Sequence, residues 1–481
     1  MKKIKYILLT AFAITAFSCS SDDLVQFPED GVGIEAGVNP IKDESTMEFV
    51  LKGMYTQFAV AESFNSYIPN LGNLASDDFF VSSTNSGYFL TFHNMNWSAA
   101  AGDQNAIYNE LYDIVAQANF IINAKIEETD NVKAMKAQAY TARGMAFFYL
   151  AQGWGENPTS GKNQEYGIPL YTGEFDPFAF YGRSSVADTY AQIISDLKAG
   201  IVAENETPVN KSFLSSTAAR LLLAKAYLTV GDYANAISYA DDALNKAPGV
   251  FSLVTADQLQ EYFYSDKVDN QAETVFEIGN SVLANPGVNY SMGVLYDPYN
   301  VGAEENTRKF ILVRSNLVDL FGADDVRRNL FLKDTRDDDA PNPGYFIKKY
   351  KNYIVTDQNI ANVKTLRLTE AKFIKWEAMA KSGQGATALA EVNTFATERG
   401  GTTYSGDALA AVLTEKRKEF VGEGQRFFDL KRNNLPIVKA TNCNANCNVA
   451  TGDKLFVLPI PSYSLNINPI LKDQQYPGWG N

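Results

Sequence analysis

Apolar side chains recur every third or fourth position from about Ile41 to Pro248, the period of amphipathic helices. Ile107, Leu111, Ile114, Val115, Ala118, Ile121 and Ile122 form one such stripe, and further helices are predicted over roughly 132–151, 185–203, 215–230 and 233–246. The last two carry Ala224, Tyr227, Ala236, Ala243 and Pro248 at the small, aromatic and Pro positions of a 34-residue tetratricopeptide unit, with Gly231 and Asp232 at the turn. Ala240 departs from that pattern, which prefers a large aromatic there. A weaker helix pair is predicted at about 369–381 and 386–399, joined by Ser382 to Gly385. Such pairs must stack on neighbours to bury their faces, so a scaffold role is expected.

The periodicity breaks in two places. Between about Phe251 and Thr365, Tyr, Asp, Asn, Pro and Gly rise, and only short β-like runs such as Thr274 to Ile278 and Phe346 to Tyr350 remain. A second loop-rich stretch is expected between Asn65 and Asp103. Long irregular segments in a compact chain are usually functional or disordered, and aromatic richness argues against disorder. The predicted class is all-α, a tetratricopeptide helical scaffold with long loop-rich insertions and little β.

The amino terminus is of another kind. Lys2, Lys3 and Lys5 precede an uncharged apolar stretch from Tyr6 to Phe17, too short for a bilayer span and patterned as a secretory signal peptide over residues 1–18. Cys19, followed by Ser20, Ser21, Asp22 and Asp23, resembles the acylated Cys of a bacterial lipobox, with Ala16 and Phe17 where lipoboxes usually carry Leu and a small residue. Residues 19–40 then read as a lipidated, solvated tether. Residues 41–481 are expected to form a single domain: a tetratricopeptide-rich part at 41–250, a loop-rich insertion at 251–365, and carboxyl-terminal helices with a tail at 366–481.

Composition removes several function classes. The 481 residues hold 42 Lys and Arg against 56 Asp and Glu, a net charge of −14, which disfavours nucleic acid as a partner. His93 is the single histidine, so sites needing paired imidazoles are excluded. No neighbouring nucleophile marks it as a base, and a surface or ligand-contacting role is expected. The run Glu415 to Arg432 interleaves six cations with four anions at helical steps, predicting intrahelical pairs on a packed helix. Cys443 and Cys447, in an exported chain with few further ligands, favour a local disulfide over zinc. Asp334 and Asp337 to Asp339 lack an EF-hand pattern and read as a solvated acidic turn. No metal, cofactor or catalytic residue is expected.

The order of several motifs resembles the SusD/RagB family of outer-membrane lipoproteins. A helix with Ala142, Arg143, Phe147 and Tyr149 leads to Trp154, Gly155 and Pro158, then Gly167, Pro169 and Leu170. Tyr190, Ile193, Asp196 and Leu197 follow, then the helix pair from Thr217 to Leu244. Near the carboxyl end come Lys416-Arg417, Glu419-Phe420, Glu423-Gly424, Arg426, Asp429-Leu430 and Arg432, with Lys416 for the family's Glu and Phe420 for its Leu. Pro459, Ile460, Pro461 and Asn468 match the terminal segment. The resemblance implies a non-catalytic surface receptor, held in the outer membrane by lipid on Cys19, that captures an oligosaccharide and acts with a SusC-like TonB-dependent transporter.

Sugar capture needs flat apolar faces beside amides and carboxylates. The first loop region offers Tyr67, Asp77, Asp78, Tyr88, Phe92, Asn94, Asn96 and Trp97; the second offers Asn289, Tyr290, Tyr296, Tyr299 and Asn300. Trp97, Tyr290 and Tyr296 are the leading candidates, with Tyr299, Asp77 and Asn96 beside them. Two other readings stay open: peptide capture, as in the RagB branch, and a tetratricopeptide interaction scaffold without a small-ligand site.

Overall fold

A computed structural model describes residues 39–82, 87–176, 178–247, 249–264, 272–296, 311–335, 342–350 and 360–480. Cys19, Pro248, Tyr299, Asn300 and Asp337 to Asp339 lie outside the described residues.

Helices dominate. In chain order the first half holds α1 (Glu44–Ala59), a π-helical turn (Ala61–Asn65), α2 (Tyr67–Leu74), β1 (Phe79–Val81), α3 (Leu90–Asn94), α4 (Asp103–Ile122), α5 (Asp130–Trp154), α6 (Val186–Ala199), α7 (Ser216–Val230) and α8 (Tyr233–Lys246). The second half holds α9 (Leu259–Tyr264), β2 (Thr274–Ile278), α10 (Met292–Tyr296), β3 (Ile311–Val313), α11 (Ser315–Val318), β4 (Phe331–Lys333), β5 (Tyr345–Ile347) and β6 (Val363–Arg367). It ends with α12 (Thr369–Lys381), α13 (Gly385–Glu398), α14 (Ala408–Glu419), α15 (Arg426–Arg432), β7 (Ile437–Val438), β8 (Asn448–Val449) and α16 (Ser462–Ile467).

Local chemistry sets many of the helix ends. The side chains of Asp43, Thr129, Ser185, Ser215 and Asp232 accept hydrogen bonds from the first turns of α1, α5, α6, α7 and α8. Each such cap is worth about 1 kcal/mol. Gly231 closes α7 at φ +82°, a left-handed conformation that glycine adopts without a Cβ penalty. Small buried residues, Ala224 on α7 and Ala236, Ala240 and Ala243 on α8, let the two helices approach closely. The large ring absent at Ala240 is supplied next door, where Tyr239 stacks on Tyr227 at 5.6 Å. Arg143 on α5 clamps α6 through two bonds to the Asp196 carboxylate at 2.6 and 2.8 Å, both side chains buried. The Trp154 indole donates to the Pro459 carbonyl at 2.9 Å, which docks the Pro-Ile-Pro segment onto the end of α5.

The two stretches read as loops are more ordered than periodicity indicates. The first holds α2, every residue of which is buried, so no polar face was left to mark it as a helix. The second contributes to an antiparallel sheet ordered β1-β3-β5-β4, and β2 pairs with β6 as a separate ribbon. The run at Thr274 to Ile278 is a strand, whereas Phe346 to Tyr350 is a strand only to Ile347 and then turns as a 3₁₀ helix. One apolar cluster extends from Ile41 to Leu471 across both halves.

The charged run from Glu415 to Arg432 is packed, but its pairing is mostly tertiary. Arg417 meets Asp78 at 2.5 Å, Arg426 meets Asp77 at 2.8 Å, and Arg432 forms a two-pronged pair with Glu377. Glu423 is bound by Lys349 and Arg367 at 2.6 and 2.8 Å. Lys416, the departure from the family motif, pairs with Asp429 at 2.7 Å. Only Glu415–Lys418 and Asp429–Arg432 are pairs within one helical turn of this run. A disulfide joins Cys443 and Cys447, with Cα atoms 5.7 Å apart, in the turn between β7 and β8.

Candidate functional site

Burial separates the candidate residues into two groups. Tyr296, at the end of α10, is fully enclosed. Its hydroxyl donates to Asn70 Oδ1 at 2.6 Å and accepts from Asn73 Nδ2 at 3.0 Å, and its ring packs on Phe79 and Tyr350. Trp97 is 7% exposed and donates its indole N–H to the Leu455 carbonyl at 2.9 Å. The Asp77 carboxylate is taken by Arg426 and Arg417; burial would raise its pKa, but these guanidiniums hold it below the ordinary value. These three side chains offer no free face to a ligand and belong to the packing of the frame. His93 is likewise interior: burial, then the charges of Lys439 and Arg314, push its pKa down to about 4, leaving a neutral imidazole. It is not the surface residue expected from its Asn-rich surroundings.

Because Tyr296 acts as a buried hydrogen-bond hub, Tyr296→Phe is expected to cost about 1–3 kcal/mol by stranding the Asn70 carbonyl oxygen. Chemical denaturation of the purified protein measures that loss. Unchanged stability would show that the hub contributes nothing.

Tyr290 and Asn96 remain at the surface, half-buried and exposed respectively. Tyr290 is where the two aromatic regions meet. Its ring lies 5.7 Å from Tyr67 and 5.7 Å from Tyr88, with Phe89 at 6.3 Å behind. Tyr67 in turn packs edge-on against Phe89 at 5.4 Å and Phe92 at 5.9 Å. Tyr88 and Tyr290 are only half-buried, and both pack against the rings of the core.

Carboxylates border this aromatic platform. Burial, then the Asp103 charge and the Tyr290 hydroxyl, raise the pKa of the Tyr67 phenol well above its ordinary value, with Glu62 adding to the effect. Burial also raises Asp103, and it raises Glu110, where the charges of Asp113 and Glu62 add to it. One Glu110 oxygen is buried without a hydrogen-bond partner. Partly desolvated acceptors beside tyrosine rings suit a ligand rich in hydroxyl groups. The backbone here is irregular: Ser63, inside the π-helical turn, sits at φ −109° and ψ −139°. Single π turns occur often at functional sites.

Glu62, Asp103 and Glu110 were not legible as site residues. Asp103 and Glu110 fall at the edge of the apolar stripe of α4, where periodicity does not mark them as site residues. Only the packing of α4 against the π turn brings Asp103 and Glu62 near Tyr67, with Glu110 beside Glu62.

Comparison with known proteins places this geometry in context. A family model described as starch-binding associating with outer membrane matches residues 37–228, and a SusD family model matches residues 323–479. A SusD-like protein P2 of Formosa agariphila is 25% identical over 283 residues, 58% of this chain and 53% of the relative, so the match spans about half the length of that relative. Among solved structures, a Bacteroides vulgatus protein assigned as sugar-binding superposes with a TM-score of 0.80 at 26% identity, covering 93% of this chain and all of the other. A SusD superfamily protein from Bacteroides vulgatus superposes with a TM-score of 0.82 at 25% identity, covering 92% of this chain and all of the other.

Proposed function

Since the chain belongs to the SusD family, we propose that it is a cell-surface lipoprotein that binds an oligosaccharide on the Tyr67, Tyr88 and Tyr290 platform and delivers it to a SusC-like TonB-dependent transporter. The observation that carries this reading is the convergence of two aromatic segments from opposite halves of the chain on one carboxylate-edged surface. Pyranose rings present apolar C–H faces that stack on tyrosine, and their hydroxyl groups donate to Glu62, Asp103 and Glu110. Nothing in the arrangement requires a bond to break, and the chain is read as a binding protein, without cofactor or metal. Tyr299 lies a short way along the chain from Tyr290, and Asn96 is exposed near the same region of the sequence; both are proposed as further contacts. Lipid on Cys19 would hold the protein at the outer membrane, where a neighbouring transporter raises the effective concentration of weakly bound ligand.

Affinity electrophoresis across a polysaccharide panel tests the site. The wild-type chain is expected to be retarded by at least one glycan, and Tyr290→Ala and Tyr88→Ala to weaken that retardation about 10-fold. Equal retardation of the wild type and both variants would remove the platform from consideration. Retention on peptide pools but on no glycan would favour the peptide-binding alternative. For the anchor, Cys19→Ala is expected to move the protein from the membrane fraction to the soluble one, and continued membrane association would rule out lipidation at that residue.

A further inference from the structure

A cavity of about 450 Å³ lies between α4, residues 171–176 and 178–181, and the end of α16. Its volume falls in the range of small-molecule sites. Tyrosine rings turned steeply to one another form its wall: Tyr108 and Tyr112 are 4.8 Å apart, Tyr112 and Tyr171 stand at 83°, and Tyr171 and Tyr181 at 63° with centroids 4.7 Å apart. Phe175 and Phe180 also line it, and Phe175 packs on Phe120. The wall is held in place by amides spent on backbone: Asn119 Nδ2 donates to the Tyr171 carbonyl and Asn468 Nδ2 to the Tyr181 carbonyl, each at 2.9 Å.

The charged side chains that line this cavity are all acidic. Asp113, Glu174 and Asp176 line it, and no Lys or Arg is among its described lining residues. Lys125 reaches Glu174 from outside at 2.7 Å. Behind the wall Arg143 is paired with Asp196, whereas Arg183 donates to the carbonyls of Trp154 and Gln474, keeps one nitrogen buried without a partner, and its charge reaches Tyr108 and Tyr112. Asp113 and Asp176 lie at the exposed rim of the cavity, where partial desolvation raises the pKa of Asp113 and Asp176 Oδ1 accepts from the Phe178 N–H. Ring faces carry negative electrostatic potential, so a box of tyrosines edged by carboxylates attracts a cation that also carries apolar carbon.

We propose that this cavity binds a small organic cation, an ammonium group bearing apolar carbon, with the tyrosine box enclosing the charge and Asp113 and Asp176 balancing it. The site is separate from the Tyr67, Tyr88 and Tyr290 platform and does not depend on that platform binding glycan.

Calorimetric titration of the anchored or mature full-length protein uses two probes, choline and its neutral tert-butyl isostere, in which carbon replaces the quaternary nitrogen. Choline is expected to bind at least about 10-fold more tightly than the isostere. The double variant Asp113→Asn, Asp176→Asn is expected to weaken choline but not the isostere by about 5-fold or more, and Tyr181→Ala to weaken choline by a similar factor. Equal binding of both probes, no binding of choline, or a preference that is undiminished in the double variant would each overturn the proposal. Thermal melts establish that Tyr181→Ala is folded; if it is not, the near-isosteric double variant decides. Glycan retardation should be unaltered in Asp176→Asn alone, which separates failure here from failure of the glycan site.

Discussion

Glu419→Gln is expected to lower the free energy of unfolding by about 3–5 kcal/mol, the cost of leaving buried cations without their partner. The carboxylate is buried among guanidiniums, with Arg327 at 3.2 Å, Arg367 at 3.3 Å and Arg399 at 3.6 Å. Its backbone carbonyl also accepts from Lys349 at 2.7 Å. Glutamine preserves the shape and removes the charge. Arg367 would keep Glu273 and Glu423, and Arg327 would keep Asp325 and Glu415. Arg399 would keep only the Val254 carbonyl and its stacking on Phe395. Urea unfolding of both proteins measures the difference, and superimposable curves would show that this network is energetically silent.

The same residue predicts how stability responds to acid. Burial would raise the Glu419 pKa, but Arg399, Arg367 and Arg327 outweigh it and hold the folded-state value far below the ordinary one. Glu377 behaves likewise, burial being outweighed by Arg432 and Lys381. A depressed folded-state pKa means that the unfolded chain binds more protons in acid. The stabilisation is therefore complete above the unfolded carboxylate value of about 4.3 and is lost as pH falls toward the folded values. Glu419→Gln is expected to be less stable at neutral pH and to show a shallower loss below about pH 4. Parallel pH profiles would contradict that linkage.

Gly72→Ala is expected to be the most damaging small substitution, at about 3 kcal/mol or more, because an overpacked contact with backbone has little room to relax. A Cβ on Gly72 would run into the carbonyl of Gly424. Gly424 cannot retreat: it sits at φ +76°, and its own Cβ direction points at Pro69 Cα, 2.6 Å away. Asn73 locks the two segments, accepting from the Gly424 N–H and donating to the Gly422 carbonyl, each at 2.9 Å. Gly383→Ala serves as the comparison, since Gly383 also has a positive φ but nothing within 4 Å, and only the left-handed penalty of about 1–2 kcal/mol should appear. Thermal unfolding of the two variants measures the gap. Equal losses would mean that α2 does not bear on the Gly424 turn as closely as described.

This contact also explains a motif. Glu423 and Gly424 were legible as part of a family string, yet nothing in the string indicated why glycine stands there. The close approach of a helix from the amino-terminal half supplies the reason. Aromatic candidates followed the same logic. Trp97, Tyr290 and Tyr296 are indistinguishable as residues in Asn-rich, loop-like segments. Which ring is enclosed and which lies at the surface depends on what packs over it, and the cover comes from distant segments: Leu455 over Trp97, and Asn70, Asn73 and Tyr350 around Tyr296.

The chain's own order of residues determined whatever depends on neighbours within a turn or two: the α7–α8 pair with its Gly231 and Asp232 junction, the α12–α13 pair, and the strand at Thr274–Ile278. Caps, helical stripes and β-branched runs are local interactions, and they leave a local signature. Tertiary structure alone decided the partners of the charged run, the burial of α2, and the meeting of Tyr67, Tyr88 and Tyr290 with the carboxylates of α4. Those depend on contacts between residues far apart in sequence, where the same charge or ring serves equally well as core or as surface until its neighbours are in place.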